Sequence, residues 1–142
     1  MTTQVPAYLP YRILAAITAA FCFLFGLVFF AGFVDRALFQ VFARPLFETN
    51  HWGYYILGFA GAALLAWGGC LVSATRHPTT AGGITSATIG GLLAGATIRL
   101  LAWYSGEYRL AGDQLRVEAG LLLVLALGFI WLRPPRAEPP PE

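Results

Sequence analysis

The stretch ILAAITAAFCFLFGLVFFAGFV, residues 13–34, decides the fold class of this chain of 142 residues. It carries no charged side chain, and it exceeds the roughly 20 apolar residues with which a helix crosses a hydrocarbon core of about 30 Å. The apolar run of a cleavable signal peptide is shorter, about 7–15 residues, and residues 1–11 carry no charge either. The stretch therefore predicts a first membrane helix that is retained behind an amino-terminal tail, residues 1–11.

Three further apolar segments predict membrane helices at residues 53–74, 81–104 and 114–132. Aromatic side chains of the kind that anchor helices at the membrane surface flank the second and third segments: Trp52, Tyr54, Tyr55, Trp103 and Tyr104. We predict an all-α fold, an antiparallel bundle of four transmembrane helices within residues 12–133. A proline-rich tail, residues 134–142, should be disordered.

The segment between the first two helices, residues 35–52, mixes apolar and polar side chains and contains Pro45. This pattern is typical of a short helix that lies in the membrane interface and is broken at the proline. An ordinary loop that inserts its aromatic side chains among the lipid headgroups would have the same composition. The sequence leaves both structures open.

The composition excludes several classes of protein. Hydrophobic residues make up 58% of the chain and charged residues 11%, against about a quarter charged residues in soluble domains. Lipid must therefore cover much of the surface, and we expect membrane lipids as partners, with either further copies of this chain or a larger membrane complex. The net charge of +2 is too small to indicate nucleic-acid binding.

Four spans place both termini on the same side of the membrane, but the arginines do not settle which side. Four arginines fall on each side, so the positive-inside count is a tie. Three of the four on the terminal side lack an acidic neighbour in sequence, whereas those on the other side each have one. This difference favours cytoplasmic termini in a multi-pass membrane protein.

Small residues recur every four positions in the second and third spans. Because four residues are slightly more than one helical turn, each series forms a ridge without large side chains, along which another helix can approach closely. We therefore predict a close-packed seam between these two spans, although glycine and alanine are common in membrane helices in general. The predicted packing residues are Gly58, Ala62 and Ala66 on the second span, and Gly83, Ala87, Gly91 and Gly95 on the third.

Two ionisable residues fall inside predicted spans, Arg99 and Glu118. They are nearly equidistant from the turn that connects the third and fourth helices, so an antiparallel hairpin places them at the same depth. Since neither charge is stable alone in lipid, we predict that they form an ion pair.

Other polar groups are predicted at the same end of the bundle. The candidate intramembrane polar site comprises Arg99, Glu118, His51, Tyr55, Asp35 and Glu107. Two interpretations stay open. In the first, the Arg99–Glu118 pair holds the third helix against the fourth. In the second, the polar residues form a mouth that binds a small amphipathic ligand such as a lipid headgroup or a quinone, or that relays protons.

No motif indicates catalysis, a metal or a cofactor. His51 and His77 are predicted on opposite sides of the membrane, and the chain has no Cys-x-x-Cys pair, nucleotide-binding loop or nucleophile elbow. We therefore expect no catalytic residue, no metal ligand and no cofactor.

The layout resembles a family of small bacterial four-helix integral membrane proteins known only as a domain of unknown function. The residues that carry the resemblance are the end of the third span, residues 99–106 with sequence RLLAWYSG, and Glu118 at the opening of the fourth. The resemblance implies no activity. The small multidrug resistance transporters also have four helices, but their essential acid lies in the first helix, and the first span here contains no acid.

The sequence thus favours a non-enzymatic integral inner-membrane protein that serves as an accessory subunit or scaffold of a membrane complex. The first alternative is a small-molecule, lipid or quinone binder or transporter that uses the mouth around Arg99 and Glu118. An integral-membrane enzyme is the third hypothesis.

Overall fold

The computed structural model describes residues 8–39, 49–105 and 113–135. These residues form four long helices: α1 (Leu9–Val34), α2 (His51–Arg76), α3 (Gly82–Ser105) and α4 (Gln114–Trp131). A π-helical stretch, Asp35–Phe39, continues α1, and the described ranges contain no strand. Each of the four helices is long and apolar enough to cross a membrane. The predicted all-α class with four transmembrane helices is confirmed.

Local sequence accounts for several helix ends. Pro10 lies in the first turn of α1, where a missing N–H costs no helical hydrogen bond. Asn50 caps α2, because its Oδ1 accepts a hydrogen bond of 2.8 Å from the backbone N–H of Gly53. At the other end, α2 stops at Arg76, one residue before the His77-Pro78 step, which disfavours helical backbone at His77. The choice between an interfacial helix and a loop after α1 falls on residues 40–48, outside the described part of the chain.

The chain divides into two compact units, which are described separately. The first unit, residues 15–73, contains most of α1 and α2. An added Cβ atom at Gly61 would lie 2.7 Å from the backbone nitrogen of Phe30 and 2.8 Å from the carbonyl oxygen of Gly26. Real Cβ atoms do not approach other atoms so closely, so the two backbones are in direct contact at this crossing.

Phenylalanine rings of α1 pack against two further glycines of α2. Phe33 covers Gly58, and Phe23 covers Gly68 two to three turns further along α2. Contacts later in α2 therefore meet positions earlier in α1, which makes the two helices antiparallel. The glycines of α2 and the phenylalanines of α1 form complementary faces, so the two helices pack by shape complementarity.

The second unit contains α3 and α4, with residues 9–14 of α1 and residues 74–76 of α2. The helices α3 and α4 are antiparallel, since Gly95 contacts Leu122 and Arg133 beyond α4 donates to Ser86 near the start of α3. Their buried side chains are mostly small or aromatic: Thr85, Thr88, Ala96, Ala119, Ala126 and Phe129.

The start of α1 is anchored in the second unit by a buried hydrogen bond. The hydroxyl oxygens of Tyr11 and Thr85 are 2.7 Å apart. Thr85 donates its only hydroxyl hydrogen to the carbonyl oxygen of Ala81, so Tyr11 is the donor to Thr85. The Tyr11 ring also meets Phe129 of α4 edge-on, with centroids 6.1 Å apart. One tyrosine thus ties α1 to both α3 and α4.

Candidate functional site

An ion pair joins α3 to α4 near their connected ends. Arg99 Nε donates to Glu118 Oε2 over 2.8 Å, and Arg99 Nη1 lies 3.4 Å from the carbonyl oxygen of Gly95, one turn earlier. The predicted pairing of Arg99 with Glu118 is confirmed. The two side chains are 39% and 38% exposed, so the pair lies at the edge of the α3–α4 interface and is not enclosed by it.

The second oxygen of the Glu118 carboxylate is also engaged. Gln114, one turn earlier on α4, donates from Nε2 to Glu118 Oε1 over 2.8 Å. Both carboxylate oxygens therefore accept a hydrogen bond from a neighbouring side chain. A carboxylate held in this way is fixed in orientation, and its charge is balanced by the guanidinium.

A second set of contacts surrounds the same ends of the hairpin. Arg116 forms an ion pair with Asp113, the residue just before α4. Its guanidinium also lies over the ring of Trp103 near the end of α3, 5.0 Å from the ring centroid. The Arg116–Trp103 contact and the Arg99–Glu118 pair together fasten the start of α4 to the end of α3.

The other residues of the candidate polar site belong to a different part of the chain. His51 and Tyr55 are exposed in the first two turns of α2, and Tyr55 packs edge-on against Trp52. Asp35 opens the π-helical stretch after α1. All three lie in the first unit, and Glu107 lies outside the described residues. That these side chains form one site with Arg99 and Glu118 stays a prediction.

The predicted packing residues have different surroundings. Gly58 is covered by Phe33 of α1, and Gly95 contacts Leu122 of α4. An added Cβ at Gly83 or Gly91 would meet no atom within 4 Å. The remaining members of the two series are exposed: Ala62, Ala66 and Ala87. The predicted seam between the second and third spans stays a prediction.

Several important residues were not singled out from the sequence. Gly26 and Gly61 form the crossing of α1 and α2, and Gly58, Gly61 and Gly68 share one face at spacings of three and seven, a signal that was available. Arg116 and Trp103 are also nearly equidistant from the turn between α3 and α4, so the argument that predicted the Arg99–Glu118 pair could have predicted their contact. The buried Tyr11–Thr85 hydrogen bond joins residues 74 positions apart, so no local sequence pattern predicts it.

Within residues 8–39, 49–105 and 113–135, no three His, Cys, Asp or Glu side chains are placed to hold a metal ion. Cys22 on α1 and Cys70 on α2 are free thiols. A scan against protein-family models found no match. Searches of curated proteins and of solved structures found no match either. The chain is therefore identified by its own architecture, as a four-helix protein suited to a multi-pass position in a membrane.

Proposed function

We propose that this protein is a non-enzymatic membrane subunit that assembles with other transmembrane helices, as an accessory subunit or scaffold of a membrane complex. The observation that carries the proposal is a face of α3 that is made of small residues and points away from α4. Its members are exposed: Gly83, Ala87, Gly90, Gly91 and Ala94. An added Cβ at any of its three glycines would meet no atom within 4 Å.

This small-residue face suits a partner helix better than it suits lipid. Helices in a bilayer associate through van der Waals packing, and small residues let two backbones approach closely enough for that packing. The first unit supplies an internal precedent, since Gly61 of α2 brings its backbone into contact with α1. The face on α3 offers the same surface chemistry to a neighbour.

The arrangement of the intramembrane charges supports a structural role for them. Transport or proton relay through Glu118 needs a carboxylate that can release its partners and accept a cargo or a proton. Here Arg99 and Gln114 occupy both oxygens of Glu118. We therefore place the binder or transporter second and an enzyme third. Location in a bacterial inner membrane and cytoplasmic termini belong to the same proposal.

A photo-cross-linking amino acid tests the small-residue face in the native membrane. We place it at Ile98, which is 66% exposed on that face of α3, and separately at Val124, which is 65% exposed on α4. We expect a discrete protein adduct from position 98 and lipid adducts alone from position 124. Because positions 98 and 124 are almost equally exposed, a difference between their adducts reflects the helix face and not the accessibility of the cross-linker.

A second substitution checks that the adduct depends on close packing. Gly91→Leu should abolish the adduct from position 98, because the leucine keeps the partner backbone away. Gly120→Leu on α4 is the matched control, since Gly120 is exposed and its added Cβ meets no atom within 4 Å. The proposal fails if positions 98 and 124 both yield only lipid adducts, or if the two leucine variants behave alike.

A further inference from the structure

Three arginines of the second unit lie at the end opposite its described acidic residues. Its described acidic residues, Asp113 and Glu118, lie just before α4 and in its first turns. Arg133 follows the other end of α4, about 27 Å away along an 18-residue helix with a rise of about 1.5 Å per residue. Arg12 and Arg76 belong to the same unit at its basic end. The acidic groups are therefore too far away to neutralise these arginines.

The fold brings the three arginines to the start of α3. Arg133 donates from Nη2 to Ser86 Oγ over 2.9 Å, in the first turns of α3. Arg12 adjoins Tyr11, whose hydroxyl bonds to Thr85, the neighbour of Ser86. Arg76 is the last residue of α2, and the short connection of residues 77–81 leads from it directly into α3. This set of residues, Arg12, Arg76 and Arg133, is called the arginine cluster below.

The arginine cluster lacks a counter-charge within the described ranges. None of its members is in an ion pair with a described acidic residue; the acidic partners in the described ion pairs are Glu118 and Asp113. Arg12 Nε is buried and has no hydrogen-bond partner among the described residues. The first turn of α3 contains no acidic side chain, so the positive end of its helix dipole adds to the same field. An anion beside these arginines would complete this arrangement.

We propose that the arginine cluster binds the phosphate of an anionic phospholipid. A guanidinium recognises phosphate by paired, charge-assisted hydrogen bonds and loses little hydration in doing so. The cluster lies where α1 and α3 begin and where α2 and α4 end, which is headgroup level for helices that span the membrane. An anionic leaflet attracts basic residues at this depth, so this end of the protein faces the anionic, cytoplasmic leaflet.

Lipid titration of the full chain tests the proposal. The protein in non-ionic detergent is titrated with phosphatidylglycerol and, separately, with phosphatidylcholine of the same acyl chains, and bound lipid is counted by native mass spectrometry. We expect phosphatidylglycerol to bind about tenfold more tightly or better, as expected for two or three arginines near a headgroup. This preference should fall as salt rises from about 50 to about 500 mM. Equal affinity of the wild-type protein for the two lipids would by itself overturn the proposal.

Single substitutions then locate the lipid site. Arg12→Gln, Arg76→Gln and Arg133→Gln should each weaken phosphatidylglycerol binding about fivefold, and lysine at the same positions should retain most of it. Arg116→Gln, at the opposite end and paired with Asp113, should change nothing. An equal loss in Arg116→Gln would place the lipid elsewhere. Displacement of phosphatidylglycerol by millimolar inorganic phosphate would indicate a site for a free anion and would also overturn the proposal.

Discussion

Replacing Gly61 with alanine should destabilise the protein by about 1–3 kcal/mol, although alanine is intrinsically the better helix former. The new methyl group would lie 2.7 Å from the backbone nitrogen of Phe30 and 2.8 Å from the carbonyl oxygen of Gly26. Both neighbours are backbone atoms, which cannot rotate away as a side chain can. The helices α1 and α2 must therefore separate, and the packing of phenylalanine rings on both sides of the crossing loosens with them.

Gly69→Ala is the matched control for this substitution. Gly69 lies on the same helix, and an added Cβ there meets no atom within 4 Å. Its replacement should leave the free energy of unfolding unchanged or raise it, because only helix propensity acts. Reversible unfolding in mixed micelles measures both variants. Equal stability of Gly61→Ala and Gly69→Ala would mean that α1 and α2 do not cross at Gly61.

Removing one partner of the Arg99–Glu118 pair should lower the free energy of unfolding by more than the intact pair contributes to it, because the other charge is left unpaired. Arg99→Leu leaves the Glu118 carboxylate without its cation, and Glu118→Leu leaves the guanidinium unpaired at membrane depth. We expect each single variant to lose about 2–3 kcal/mol of unfolding free energy, on the scale of inserting a charge into a bilayer. The double variant should lose less than the sum, with a coupling of about 1–3 kcal/mol.

A second cycle shows whether the coupling is specific. Arg133→Leu combined with Glu118→Leu removes the same types of charge at opposite ends of α4 and should be additive within about 0.5 kcal/mol. Additivity in the Arg99–Glu118 cycle itself would contradict the role of the pair as a staple. Gln114→Leu should give a smaller loss, because Arg99 still engages one oxygen of Glu118.

The four helices and the ion pair could be predicted because each depends on one strong and local signal. Apolar length identifies a membrane span without any knowledge of its partners. Arg99 and Glu118 are related by the symmetry of a single hairpin, so their pairing follows from counting residues on either side of one turn. The hairpin also restricts the choice of partner, since each charge has few candidates at the same depth.

The helix contacts were harder to predict because a small residue does not determine which helix packs against it. The small-residue series on the second span predicts a seam with the third span without excluding contacts to other helices, and Gly58 packs against Phe33 of the first. A glycine permits close approach by any helix, and only the complementary phenylalanines of α1 decide which helix approaches. Tyr11 and Thr85 illustrate the same limit, since a hydrogen bond between distant positions leaves no periodic trace in the sequence.

The most direct test of the proposed role is the composition of the particle that the wild-type chain forms in its own membrane. The protein is extracted at native abundance with its surrounding lipid in polymer-bounded discs, and the polypeptides in each disc are identified and counted by native mass spectrometry. If the small-residue face of α3 is a packing surface, the discs contain this chain with at least one further polypeptide in a fixed ratio. Discs that hold a single copy of this chain and lipid alone would contradict a role as subunit or scaffold.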